Sequence, residues 1–140
     1  MNKILIVCAG NICRSPLGEY YLKSIRPDLH VESAGIVGLS GYPADETAQQ
    51  CGMDNGIDLS QHTARFLDQN IIASADIILA MDKEQVKILE NKWPFSKGRV
   101  FRVGHWNDMD IEDPYKKSRL VFDSVYQKII DGLNAWSSKI

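Results

Sequence analysis

Residues 3–7 (Lys-Ile-Leu-Ile-Val) form an apolar, β-branched run with no polar alternation, the pattern of a central strand covered on both faces. The run leads to Gly10, and Arg14-Ser15-Pro16 then predicts the opening of a helix. Pro16 suits its first position, where a missing N–H costs nothing. Leu17, Tyr20, Tyr21 and Ile25 follow at helical spacing, and Pro27 stops the segment. Residues 31–35 predict a second strand, followed by a loop rich in Gly and Ser as far as Pro43. Residues 44–55 read as a helix ended by Gly56. A third strand is expected over 75–81, with Asp82 placed to cap a helix over 83–92, and a fourth over 99–103. After a loop over 104–114 comes the strongest helical period. Val121, Phe122, Val125, Tyr126, Ile129, Ile130, Leu133 and Trp136 share one face.

Strands alternating with helices predict an α/β fold of three layers, a four-stranded parallel sheet flanked by helices on both faces. The 140 residues fit a single domain, 1–140. In such sheets ligands bind at the carboxyl ends of the strands. The loop at Cys8–Ser15 and the loop ending at Asp113-Pro114 both follow strands, so both are expected at that edge.

Composition narrows the function classes. Hydrophobic residues make up 44% and charged residues 24%, an ordinary globular balance. The net charge is −2 with no long run of one sign, which argues against nucleic acid or an anionic membrane surface as a partner. The apolar run at 4–7 is too short for a signal-peptide core, and no stretch of about 18 apolar residues occurs. No membrane insertion and a cytoplasmic location are therefore expected. Three cysteines, an odd number, argue against a disulfide framework and for a reactive or buried thiol.

The chemistry concentrates in Cys8-Ala9-Gly10-Asn11-Ile12-Cys13-Arg14-Ser15. A tetrahedral oxyanion needs donors converging on one point, and a strand–loop–helix turn supplies them as backbone N–H groups at the positive end of a helix. Gly10 permits backbone conformations that a side chain would block. Arg14 adds a planar fork for two phosphate oxygens, and the same field favours an anionic sulfur on Cys8. A cysteine, five residues, an arginine and a hydroxyl thus make one device, and its strand and helix flanks set it apart from a chance short match.

The run Val7-Cys8-Ala9-Gly10-Asn11-Ile12-Cys13-Arg14-Ser15-Pro16 resembles the signature of the low-molecular-weight protein tyrosine phosphatases. The resemblance continues through Val31-Glu32-Ser33-Ala34-Gly35, His62-Thr63-Ala64-Arg65, Asp76-Ile77-Ile78-Leu79-Ala80-Met81-Asp82 and Asp113-Pro114-Tyr115. It implies a flavodoxin-like topology and metal-independent hydrolysis of phosphotyrosine through a phosphocysteine, with no cofactor. Cys8 is then the nucleophile, Arg14 the phosphate clamp and Asp113 the general acid. Asp113 also has the look of a helix cap before a proline. Asn11, Ser15, Ser33 and His62 match a network that holds the loop in shape, and Ala9, Gly10, Ile12 and Cys13 complete the phosphate cradle. For Cys13 the resemblance implies a reversible disulfide with Cys8; a small residue filling space under the loop is the other reading. Cys51 reads as core.

Relatives acting on phosphoarginine carry Thr where this chain has Ile12, so the resemblance favours phosphotyrosine. Tyr115 matches an aromatic that stacks on the substrate ring. Animal relatives have a second Tyr next, whereas this chain has Lys116. Gly104-His105-Trp106, the Val37-Gly38-Leu39 loop and the string from Asp113 to Arg119 resemble Gram-negative phosphatases of capsule or exopolysaccharide export, with Leu39 on the substrate rim. The implied partner is the C-terminal tyrosine cluster of a membrane tyrosine kinase. An arsenate reductase of this fold needs relay cysteines downstream, and none follows Cys51. A phosphotyrosine-binding module needs neither Cys8 nor Asp113.

Overall fold

The computed structural model describes residues 2–37 and 39–140; Met1 and Gly38, the middle residue of the Val37-Gly38-Leu39 loop, lie outside the described residues. Strand β1 (Lys3–Cys8) is followed by α1 (Arg14–Ile25), β2 (His30–Gly35), α2 (Glu46–Asp54), α3 (Gln69–Ser74), β3 (Ile77–Ala80), α4 (Lys83–Lys92), β4 (Val100–Arg102) and α5 (Arg119–Ser137). Short 3-10 turns occupy Pro94–Ser96 and His105–Asn107. The strands form one parallel sheet in the order β2-β1-β3-β4. Ile4 pairs with Val31 on one side and Ile77 on the other, so β1 lies between two neighbours and its residues from Ile4 to Cys8 are all buried.

The pleat sorts β1 between two cores. Ile4, Ile6 and Cys8 face the layer built from Leu17 and Leu22 of α1, Ala48 and Cys51 of α2, and the buried stripe of α5. Leu5 and Val7 face the other layer, with Ile72 of α3 and Leu89 of α4. Both faces are therefore covered, which is why β1 carries no polar alternation. The order reverses between β1 and β3, the switch point where an α/β sheet opens a crevice at its carboxyl edge.

Three expectations change. Helix α1 begins at Arg14, with Cys13 at the N-cap, so Pro16 is the third helical residue. Its missing N–H still falls among the first four that a helix leaves unpaired, and the helix tolerates it there. Helix α3 was not foreseen. It spans six residues, capped by Asp68 accepting from the Ile71 N–H, and buries only Ile72, too little for a 3.6-residue period to register. Asp113 caps no helix, because α5 starts six residues on, after Ser118. Among the described residues no helix is long and apolar enough to cross a membrane.

Candidate active site

The loop between β1 and α1 is held from outside by its carbonyls. Those of Cys8, Ala9 and Ile12 accept from the N–H groups of Ile36, Val37 and Asp45 at 3.0, 2.8 and 2.8 Å, and that of Asn11 accepts from His62 Nε2 at 2.7 Å. The N–H groups of Ala9 to Cys13 find no acceptor among the described residues. Carbonyls turned out and amides left unpaired make an anion-binding nest at the N-terminus of a twelve-residue helix.

The backbone turn falls on Asn11, which is fully buried at φ 59°; Gly10 does not have a positive φ. A Cβ on Gly10 would come within 2.7 Å of Leu39 Cδ1, the movable end of a side chain, so the demand for space there is modest. Gly35 is the stricter case, because its Cβ would lie 2.9 Å from the backbone carbonyl carbon of Gly10. Asn11 is fixed in its left-handed conformation by its side chain. Oδ1 accepts from the Arg65 N–H at 3.0 Å, and a backbone amide can only donate, which settles the orientation of the carboxamide. Nδ2 then donates to Ser15 Oγ at 2.8 Å and Ser33 Oγ at 2.9 Å. With its oxygen occupied by that donor, Ser15 has its own proton free for Cys8 Sγ, 2.9 Å away. Ser33 in turn donates to Glu19, whose other carboxylate oxygen takes Lys23 Nζ at 2.5 Å.

Sequence reasoning missed Glu19 and the part played by Arg65. Glu19 is 7% exposed and stands four residues after Ser15 on the inward face of α1, where a buried acid at helical spacing was the available signal. Arg65 acts through its backbone N–H, which no side-chain pattern reveals, and through Nε, which donates to the Ser33 carbonyl at 2.9 Å.

Arg14 is 3% exposed. Its Nη1 donates to the Ile111 carbonyl at 2.7 Å, its Nη2 stands 3.8 Å from Asp113 Oδ2, and its buried Nε has no partner among the described residues. A buried guanidinium N–H left unpaired is a donor an oxyanion can satisfy. Asp113 is half exposed and accepts the Tyr115 N–H on Oδ1 at 3.1 Å, leaving Oδ2 toward Arg14. Cys13 lies under the loop at 3% exposure. Burial, reinforced by the Asp45 carboxylate, holds its thiol far above the usual range, so it stays protonated.

A cavity of about 230 Å³ brings these groups together. Cys8, Ala9, Gly10, Cys13 and Arg14 form its base, Ile12, Leu39 and Tyr115 its walls, and Asp113 its edge. Val37, not expected beforehand, joins the wall beside Leu39. Asn11, Ser15, Ser33 and His62 stand behind the loop and do not line it. A larger opening of about 450 Å³ on the far side touches Glu19, Ser33 and His62 but none of Cys8, Arg14 and Asp113, so it is not where these groups can react.

Residues 3–140, nearly the whole chain, match the family model of the low molecular weight phosphotyrosine protein phosphatases. The chain belongs to that family. It is 47% identical over 139 residues to the low molecular weight protein-tyrosine-phosphatase Ptp of Acinetobacter johnsonii, covering 99% of this chain and 98% of that protein. It is 42% identical over 140 residues to a probable low molecular weight protein-tyrosine-phosphatase, EpsP, of Ralstonia solanacearum, covering 100% and 97%. The solved structure of Vibrio vulnificus Wzb in complex with benzylphosphonate superposes with a TM-score of 0.96 at 38% identity, covering 99% of each chain. In this protein-tyrosine-phosphatase the nest, the arginine and the carboxyl therefore belong to a phosphomonoester hydrolase. The apolar walls of its cavity suit a flat ring above the anion seat.

Proposed function

We propose that this phosphatase hydrolyses phosphotyrosine in proteins through a phosphocysteine on Cys8. The observation that carries the reading is the chain Asn11–Ser15–Cys8: it aims a hydroxyl proton at the sulfur, inside a loop whose amides from Ala9 to Cys13 have no acceptor among the described residues. Such donors stabilise a thiolate and, in the same field, the oxygens of a phosphoryl group. Cys8 Sγ attacks phosphorus in line with the ester bond. The S–P bond forms as the P–O bond breaks, and Asp113 gives its proton to the departing tyrosine oxygen. The Asp113 carboxylate then takes a proton from water, whose oxygen attacks phosphorus. The S–P bond breaks, inorganic phosphate leaves and the thiolate returns. Arg14 and the loop amides carry the charge that accumulates on the phosphoryl oxygens, so the scheme uses no metal.

Tyr115 and Leu39 flank the ring of the substrate, and Ile12 offers an apolar wall where a guanidinium would need an acceptor. Both features favour phosphotyrosine over phosphoarginine. By resemblance to the capsule and exopolysaccharide phosphatases, the substrate is the C-terminal tyrosine cluster of a membrane tyrosine kinase, met in the cytoplasm. The test is hydrolysis of p-nitrophenyl phosphate and of phosphotyrosine and phosphoarginine peptides by wild type, Cys8→Ser and Asp113→Ala in the presence of a chelator. Loss of turnover in Cys8→Ser, with retained binding of the phosphotyrosine peptide, is expected. Unchanged activity in Cys8→Ser, or preference for phosphoarginine, would sink the reading.

A further inference from the structure

Asp113 is carried by a loop with almost no core of its own. Between Gly104 and Asp113 only Ile111 belongs to the buried cluster, while Asp108 and Asp110 are exposed. The start of this stretch packs on α5, where the His105 and Trp106 rings stand 5.8 and 5.3 Å from that of Trp136. Its middle is tied by one side chain from the end of β4. Arg102 is 12% exposed, and its guanidinium meets Asp108 Oδ1 through Nη2 at 3.1 Å and Asp110 Oδ1 through Nη1 at 3.0 Å. Asp110 Oδ1 also accepts the Lys83 N–H, at the start of α4, at 3.2 Å. Asp108 closes the 3-10 turn at φ 47°, a left-handed conformation that Asp adopts more readily than most residues with a side chain. Immediately downstream, Ile111 donates its N–H to the Met81 carbonyl at 2.9 Å and offers its carbonyl to Arg14 Nη1 at 2.7 Å.

We propose that Arg102 is a positioning residue for the hydrolysis: its paired contacts to Asp108 and Asp110 set the loop over 104–113, so that the Ile111 carbonyl orients Arg14 and Asp113 reaches the leaving group. The inference rests on the role of Asp113 put forward above. The fork is suited to the task because two nitrogens in one plane define both the distance and the direction of the loop, which a lysine cannot do. Asp110 is the closer link, three residues before the acid. Asp108 fixes the turn at which the chain doubles back, where a Cβ on Gly104 would stand 2.3 Å from the Met109 carbonyl oxygen. Arg14 and Asp113 thus share one upstream support.

The test compares kcat/KM for phenyl phosphate, whose leaving group needs a proton, with that for p-nitrophenyl phosphate, whose leaving group needs little help. Arg102→Met keeps the aliphatic bulk and strands no buried acid, since both carboxylates are exposed, and urea unfolding reports whether it folds as wild type. Its loss on phenyl phosphate should exceed its loss on p-nitrophenyl phosphate about tenfold, part of the roughly 10²–10⁴ that a positioned acid contributes. Asp110→Ala should give the same selective loss, combining it with Arg102→Met should add little, and Arg102→Lys should recover only part. Equal losses on the two substrates, as general damage to the fold would produce, or no loss at all, would overturn the inference. Asp113→Ala separates the two readings. A selective loss there without one in Arg102→Met rejects Arg102 alone, whereas no selective loss in Asp113→Ala rejects the acid and Arg102 with it.

Discussion

Replacing Asn11 by Ala should damage stability and activity together, and the structure allows both to be worked out. The substitution deletes the donations to Ser15 and Ser33 and the acceptance from the Arg65 N–H, leaving only the backbone carbonyl bond from His62. The Arg65 N–H, part-buried, is left without its acceptor, at a cost toward the lower end of the roughly 1–3 kcal/mol of a buried orphan. Alanine at φ 59° adds roughly 1 kcal/mol, because asparagine's local hydrogen bonding no longer offsets the left-handed backbone. The sum, toward the lower end of roughly 2–4 kcal/mol, is a large part of the 5–15 kcal/mol that about this size of domain holds in total. Asn11→Gly loses the same bonds but not the backbone term, so it should unfold about 1 kcal/mol later than Asn11→Ala. For activity the loop loses the tie that aims Ser15 at Cys8, and a displacement near 1 Å lowers kcat/KM about 10²-fold. Urea unfolding and p-nitrophenyl phosphate turnover measure the two effects separately. An Asn11→Ala protein as stable as wild type, with kcat/KM unchanged, would refute the account of the loop.

Iodoacetamide near neutral pH should label Cys8 alone, because burial and Asp45 keep Cys13 protonated and burial, with Asp123, pushes Cys51 up to about 11. Peptide mass mapping reads the sites, inorganic phosphate should protect, and labelling of Cys13 ahead of Cys8 would contradict the assignment. Tyr115→Ala should raise KM for aryl phosphates about tenfold, as expected for one lost aromatic contact, with kcat little altered. A fall in kcat at constant KM would instead give the ring a role in the transition state. Acid should weaken the fold in a defined direction: the Lys3 and Asn2 amides hold Asp76 below the usual carboxylate range, and Lys128 does the same for Glu112. Both groups favour the ionised folded form, so their contribution is complete above the unfolded value near about 4 and is lost as pH falls through the lower folded values. The urea midpoint should drop between about pH 5 and pH 2, less steeply in Asp76→Asn, and a midpoint that rises on acidification would contradict this.

How much could be read beforehand depended on whether a side chain's role is local. Strand β1 announces itself because burial on both faces removes every polar residue from Ile4 to Val7, and α5 because seven of its residues are buried along one side. The roles proposed for Cys8 and Arg14 could be read from sequence because both residues and the loop amides come from one strand–loop–helix turn. Helix α3 was hidden by its brevity. Gly10 drew attention as the flexible residue, yet the left-handed position is Asn11, because three side-chain hydrogen bonds, two of them to distant segments, hold it there. Glu19 and the Arg65 amide escaped for the same reason: their partners lie 14 and 54 residues away. Long-range partners are what a single chain of letters does not display.

The two halves of the site are built by opposite means, and the difference bears on how it can work. The nucleophilic half is buried and bound by hydrogen bonds through every carbonyl from Cys8 to Cys13 but that of Gly10, on a strand with neighbours on both sides. The acid half is a surface loop after the edge strand β4, held by Arg102, by the Met81 carbonyl and by Arg14. An anion seat must be rigid, since its amides act only if they are already in place when charge develops. A proton donor that turns into a base must face first the leaving oxygen and then water, and a half-exposed carboxyl on a tethered loop can serve both. Arg14 joins the halves: it belongs to the seat through its place at the start of α1, and to the acid loop through the Ile111 carbonyl. On the proposed mechanism, a phosphoryl group drawing on the remaining donors of Arg14 meets a guanidinium already oriented by the loop that carries Asp113, which would tie binding and proton transfer through one side chain.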